Sequence, residues 1–180
     1  MLPPGHIAAG YLTAKALLHF SHSNFSSAQQ ASLVWWGVAF GIAPDLDMAY
    51  SFYKQKGYRV IGKETPNHRK YFSHAPALWL AAGLLVYFLA TSLYAKYIGL
   101  LLWLASWVHF LLDSFDYGIM WLWPLDKKIY SFRNREVNFE IPEPKNPHGY
   151  LWSFIKQYSR VITFYLEILV VLSALTVYFK

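Results

Sequence analysis

The stretch Ala75–Ala95, APALWLAAGLLVYFLATSLYA, runs for 21 residues without a charge. As a helix rising about 1.5 Å per residue it covers roughly 31 Å, the thickness of one hydrocarbon core. Lys96 follows, and Tyr97–Leu112 then continues apolar until Asp113, a further span of about 27 Å when both flanking charges are included. Almost no loop separates the two segments, so they must fold back on each other as an antiparallel hairpin. A third apolar segment, Val161–Phe179, is interrupted only by Glu167. Two shorter ones come first: Ile7–Phe20 around Lys15, and Ser26–Ala43 with Gln29 and Gln30 near its start. These form either a tight transmembrane pair or a hairpin that dips in and returns. The pattern predicts an all-α fold, a membrane-embedded helical bundle of about five apolar helices with cytoplasmic loops. Residues 1–180 make one integral membrane domain, with 114–158 as a cytoplasmic loop excursion within it.

Composition agrees. Hydrophobic residues make up 56% of the chain and charged residues 14%, against about 25% charged in an ordinary soluble domain. An aromatic fraction of 19% excludes intrinsic disorder. With no cysteine, disulfide scaffolds, thiolate zinc sites, iron–sulfur centres and cysteine nucleophiles are excluded. Lys and Arg number 16 against 10 Asp and Glu, and 13 of the 16 fall in two loops, Pro44–His74 and Asp113–Arg160. Hairpin parity puts both loops on one side, and the positive-inside rule makes that side the cytoplasm. The expected location is therefore the inner (plasma) membrane, multi-pass, with the lipid bilayer as partner. Nucleic acid is not an expected partner, because the basic residues follow topology and no reader motif accompanies them. MLPPGHIAAG lacks the basic start of a secretory signal, so the first apolar element is expected to be retained.

Polar residues against an apolar bundle are costly and need a reason. His6 stands at the mouth of the first segment, and Asp45 and Asp47 end the second in GIAPDLD. His68, Arg69 and His74 lie in HRKYFSH just before the long apolar stretch, and His109 and Asp113 close the next helix. The last two are spaced i, i+4 and so share a helix face. Each falls at the cytoplasmic end of its segment, so pieces of chain remote in sequence bring imidazoles and carboxylates to one membrane face. That donor set suits Zn²⁺, Mn²⁺ or Fe. Four histidines and three aspartates exceed the ligands of one zinc, so a site with two ions, bridged by Asp45 or Asp47, uses them more naturally. Arg69 matches the geometry of a phosphate and could stabilise developing negative charge. Asp47 or Asp116 would orient the attacking water or take its proton; Asp116 alternatively caps a helix end. Glu167 reads as a packing or hydrogen-bonding residue, His19, His22 and His148 as surface residues, and the tryptophans as core and interfacial-belt residues. Residues Lys127–Gly149, rich in proline, read as a flap over the site.

The order His6, then PDLD at 44–47, HR at 68–69 with SH at 73–74, HxxxD at 109–113 and Trp123-Pro124 resembles the YdjM family. This is a group of inner-membrane-associated proteins assigned as metal-dependent hydrolases. The resemblance covers about two-thirds of the chain and extends by analogy to the all-helical zinc-dependent phospholipase C group. It implies His6, Asp45, Asp47, His68, His74, His109 and Asp113 as metal ligands. The functional expectation is a membrane-bound metal-dependent hydrolase in which metal-activated water attacks a phosphoester or related bond. A site level with the headgroups favours a lipid-linked phosphate as substrate. The alternative is a non-catalytic metal-binding membrane protein: a structural site, a sensor or a transporter.

Overall fold

The computed structural model describes residues 1–21, 23–47, 50, 68–116, 118–133 and 147–180. Six α-helices account for most of them: α1 (Pro3–Ser21), α2 (Ser27–Ile42), α3 (Pro76–Leu89), α4 (Leu93–Asp113), α5 (Pro147–Tyr158) and α6 (Ile162–Tyr178). Short 3-10 turns at Ala43–Asp45, His68–Lys70 and Phe72–His74 carry several of the polar residues singled out above. The described residues contain no strand beyond one isolated bridge, Ile119 with Tyr130, so the all-α expectation holds for them.

Local sequence explains the starts of three helices. Ser26 caps α2: its hydroxyl accepts from the Gln29 N–H while the Gln29 side chain accepts from the Ser26 N–H, a reciprocal capping box. Pro76 opens α3, where its missing N–H costs nothing. The expected single helix Ala75–Ala95 is corrected here. It ends at Leu89, and α4 starts at Leu93, ahead of Lys96. The cause is Ser92, which turns extended and accepts from the Ala95 N–H at 3.2 Å, a cap stronger than the apolar continuity around it. The hairpin is real; its turn lies at residues 90–92.

Small residues set how closely the helices cross. A Cβ on Gly37 of α2 would stand 2.7 Å from the Gly10 carbonyl of α1. One on Gly83 of α3 would stand 2.7 Å from the Gly99 carbonyl of α4. These are backbone-to-backbone contacts of the small-xxx-small kind favoured between membrane helices. Gly37 and Gly41 form such a pair within α2. Helix α2 also packs on α4, and α1 on both α4 and α6. At the end carrying the 21–26 turn, Ala14, Leu33, Tyr97 and Leu101 form the apolar core.

Among the described residues, α4 with 21 residues is the one helix long and apolar enough to cross a membrane alone. Trp152–Tyr158 of α5 and helix α6 meet that standard only together, and they are bent by 91° at their junction. Helix α3 is apolar but shorter, at 14 residues. Helix α5 falls within the expected loop excursion 114–158; most of the expected flap and the basic residues 54–63 lie outside the described residues.

Candidate metal centre

The chain runs away from one end of the bundle in α1, returns in α2, leaves again in α3 and returns in α4. The start of α1, the end of α2, the turn before α3 and the end of α4 therefore meet. There His6, Asp45, His74, His109 and Asp113 are all buried. One donor atom from each of Asp45, His74, His109 and Asp113 lies within 4.8 Å of the others.

His109 is the most telling of them. Its Nδ1 lies 2.8 Å from the Gly41 carbonyl. A carbonyl only accepts, so Nδ1 carries the proton, and in the neutral ring Nε2 presents a lone pair. That Nε2 has no hydrogen-bond partner among the described residues, and it faces Asp45 Oδ1 at 3.6 Å and Asp113 Oδ2 at 4.0 Å. A buried lone pair aimed at two carboxylates is an arrangement that a cation resolves. The separations suit it: two donors about 2.0–2.1 Å from a tetrahedral ion stand roughly 3.3 Å apart.

His74 is held in the same way. Its Nδ1 lies 2.8 Å from Asp47 Oδ2, and Nε2 turns to Asp45 Oδ1 at 3.5 Å. Asp47 also accepts from the Ser73 hydroxyl. It stands behind the imidazole, where an outer carboxylate fixes the ring's tautomer and direction, and outside the close four-residue group. The turn beneath His74 is braced by two indoles: Trp79 donates to the Ser73 carbonyl at 2.7 Å, and Trp107 to the Pro76 carbonyl at 3.0 Å.

His6 stacks on His109, ring centroids 3.7 Å apart, and neither of its nitrogens has a hydrogen-bond partner among the described residues. Its Nε2 lies 3.4 Å from Asp113 Oδ1 and 3.7 Å from Asp45 Oδ2. Each carboxylate thus shows one oxygen to His6 and the other to His109. Asp113 further takes the Arg69 Nε–H at 2.8 Å and the Met1 ammonium group.

Electrostatics point the same way. Burial pushes the Asp45 carboxyl up, but the hydrogen bond from His74 and the nearby His109 and His6 rings outweigh it and hold it below the usual carboxylate range. Burial pushes the His74 ring down, and its hydrogen bonds to Asp45 and Asp47 prevail and raise it. Asp45 and His74 thus each favour the charged form of the other.

The expected residues therefore separate. His6, Asp45, His74, His109 and Asp113 converge; Asp47 backs His74, and Arg69 backs Asp113. Asp116 is elsewhere in the network: it accepts from the Thr163 N–H at 2.9 Å and the Thr163 hydroxyl, at the start of α6, with Arg133 at 3.7 Å. The His68 side chain lies outside the described residues, as do those of His22 and His148, while His19 is exposed. The sequence gives no sign of the Gly41 carbonyl or the Met1 amino group, and reads the tryptophans as core and belt residues, whereas Trp79 and Trp107 also donate hydrogen bonds beneath His74. Ser73, adjoining His74 in the motif, carries a readable signal.

The profile of the YdjM inner membrane protein family matches residues 1–179. No curated protein and no solved structure matches the chain. The match spans the start of α1, the PDLD turn, the turn before α3 and the end of α4, so it covers every residue that converges on the cluster. The chain belongs to the YdjM inner membrane protein family.

Proposed function

We propose that this protein is a multi-pass membrane hydrolase that uses a divalent metal of the kind imidazole and carboxylate donors hold, Zn²⁺, Mn²⁺ or Fe, to cleave a phosphoester at the cytoplasmic face. The observation that carries the proposal is the buried His109 Nε2, without a hydrogen-bond partner among the described residues, facing Asp45 and Asp113. Asp45 and Asp113 each divide their oxygens between a His6 side and a His109 side, so both carboxylates would serve as metal ligands alongside the three imidazoles. A bound divalent metal supplies a Lewis acid and a water of lowered pKa.

The chain's own residues would do the rest. Asp47 keeps the His74 proton on Nδ1, so that Nε2 is the donor to the site. Arg69 orients Asp113 and adds fixed positive charge beside the place where a phosphoryl group would collect negative charge. Arg69, Lys70, Arg133, Lys156 and Arg160 belong to segments at the cluster's end of the bundle, which supports a cytoplasmic orientation. Large apolar side chains facing outward, among them Leu85 and Phe88 on α3 and Leu169 and Leu172 on α6, support embedding of the shorter helices as well as α4.

The test is hydrolysis by detergent-purified protein, across soluble phosphodiesters and phospholipids, with Zn²⁺, Mn²⁺ or Fe²⁺ added and then chelated. Metal-dependent turnover that Asp45→Ala abolishes is the expected result; metal bound without turnover of any phosphoester overturns it. A structural site is the second reading, favoured by the burial of all four close ligands, since structural sites are closed by protein donors whereas catalytic ones keep a position for water. Cobalt substitution separates the two through the presence or absence of an exchangeable water ligand.

A further inference from the structure

Beside the cluster, α6 and the start of α1 enclose a groove of about 270 Å³ lined by Leu2, Phe164, Glu167, Ile168, Val171 and Leu172. Small-molecule pockets begin at ~300 Å³, so it has room for a stretch of one hydrocarbon chain and not for a whole lipid. Its one carboxylate does not make it polar. Glu167 is consumed internally, accepting from the Leu2 N–H at 3.3 Å, the Gly5 N–H at 3.1 Å and the Tyr158 hydroxyl. With Pro3 and Pro4 lacking N–H groups, that carboxylate takes the donors available at the start of α1. The walls left over are hydrocarbon.

From these features we infer that the groove seats the hydrocarbon chain of a membrane lipid whose phosphorylated end lies at the metal centre. Three observations choose this occupant. The chain belongs to an inner membrane family. The groove is continuous with outward-facing Ile168, Leu169 and Leu172, a surface that hydrocarbon would cover. Its wall residue Leu2 adjoins Met1, whose ammonium group meets Asp113, so the groove ends one residue from the cluster. Helix α5, turned by 91° from α6 with Trp152 and Ile155 exposed, has the disposition of an interfacial helix beside a spanning one. The corner between them is where a lipid chain passes from headgroup level into the bilayer.

The inference rests on the proposed hydrolase reading only for the role of the phosphorylated end; seating of the chain is tested separately. Full-length protein in vesicles of phosphatidylethanolamine and phosphatidylglycerol is photolysed with a phospholipid carrying a diazirine in mid-chain, and adducts are mapped by mass spectrometry. Adducts concentrated on Leu2, Phe164 and Val171, and lost in Val171→Phe and in Leu172→Trp with metal content unchanged, are expected. Adducts spread evenly over the outer faces of α3 and α6, and unaltered by both substitutions, overturn the inference. Asp45→Ala keeps the two proposals apart: it should remove metal and turnover and leave groove adducts in place. Groove adducts without turnover in the unsubstituted protein would refute the hydrolase alone.

Discussion

At the scale of single residues, the division of labour between Asp45 and Asp47 is the sharpest result. Two residues apart in PDLD, one faces the imidazoles of the cluster and the other stands behind His74. Asp47→Asn keeps the shape and removes the charge that fixes the His74 tautomer, and metal affinity should drop by about 10–100-fold. Asp45→Asn should lower metal content to background, and titration of a metal indicator against both proteins distinguishes the two roles. Metal should also be released as pH falls through the histidine range, because imidazole ligands bind deprotonated. Asp45, held below the usual carboxylate range, is not the group that lets go. The pairing of His109 with Asp113 was readable from i, i+4 spacing alone. Which aspartate of PDLD points inward was not, since that depends on a 3-10 turn whose direction is set by packing on α4.

Between helices, the cluster depends on close crossings. Gly41 illustrates this: a Cβ there would lie 2.7 Å from the His6 carbonyl, while its own carbonyl receives His109 Nδ1. Gly41→Val should separate α1 from α2 and cost about 1–3 kcal/mol, the usual penalty for overpacking, and metal should be lost with it. Leu85→Ala, on the exposed face of α3, should leave both properties nearly unchanged in thermal unfolding of detergent-purified protein. Glu167 ties α6 to α1. Glu167→Leu strands the Leu2 N–H, an unpaired donor costing about 1–3 kcal/mol, while the Gly5 N–H keeps the Leu2 carbonyl at 3.1 Å; the melting temperature should fall below that of Glu167→Gln. Helix existence is legible in the apolar runs, and of the two roles open to Glu167, packing or hydrogen bonding, the structure shows the second. The break at residues 90–92 was missed because a single serine cap overrode an uninterrupted apolar stretch.

For the whole molecule, the convergence of remote segments followed from topology: segments that alternate in direction bring their like ends together, and polar residues confined to those ends must meet. Asp116 escaped that logic because a loop brings it to Thr163 at the start of α6 rather than to the cluster. With no native cysteine, single substitutions report sidedness cleanly. Lys70→Cys should react with an impermeant maleimide only from the cytoplasmic side of sealed inner-membrane vesicles, and Lys96→Cys only from the other.

Metal content remains the most direct test of the central claim, measured by elemental analysis of protein purified in detergent without chelators. Stoichiometric divalent metal in the unsubstituted chain, falling to background in His109→Ala while the far-ultraviolet circular dichroism stays helical, is the predicted result. A folded, unsubstituted protein that binds no divalent metal at micromolar concentrations, or a His109→Ala protein that retains it in full, would contradict the account.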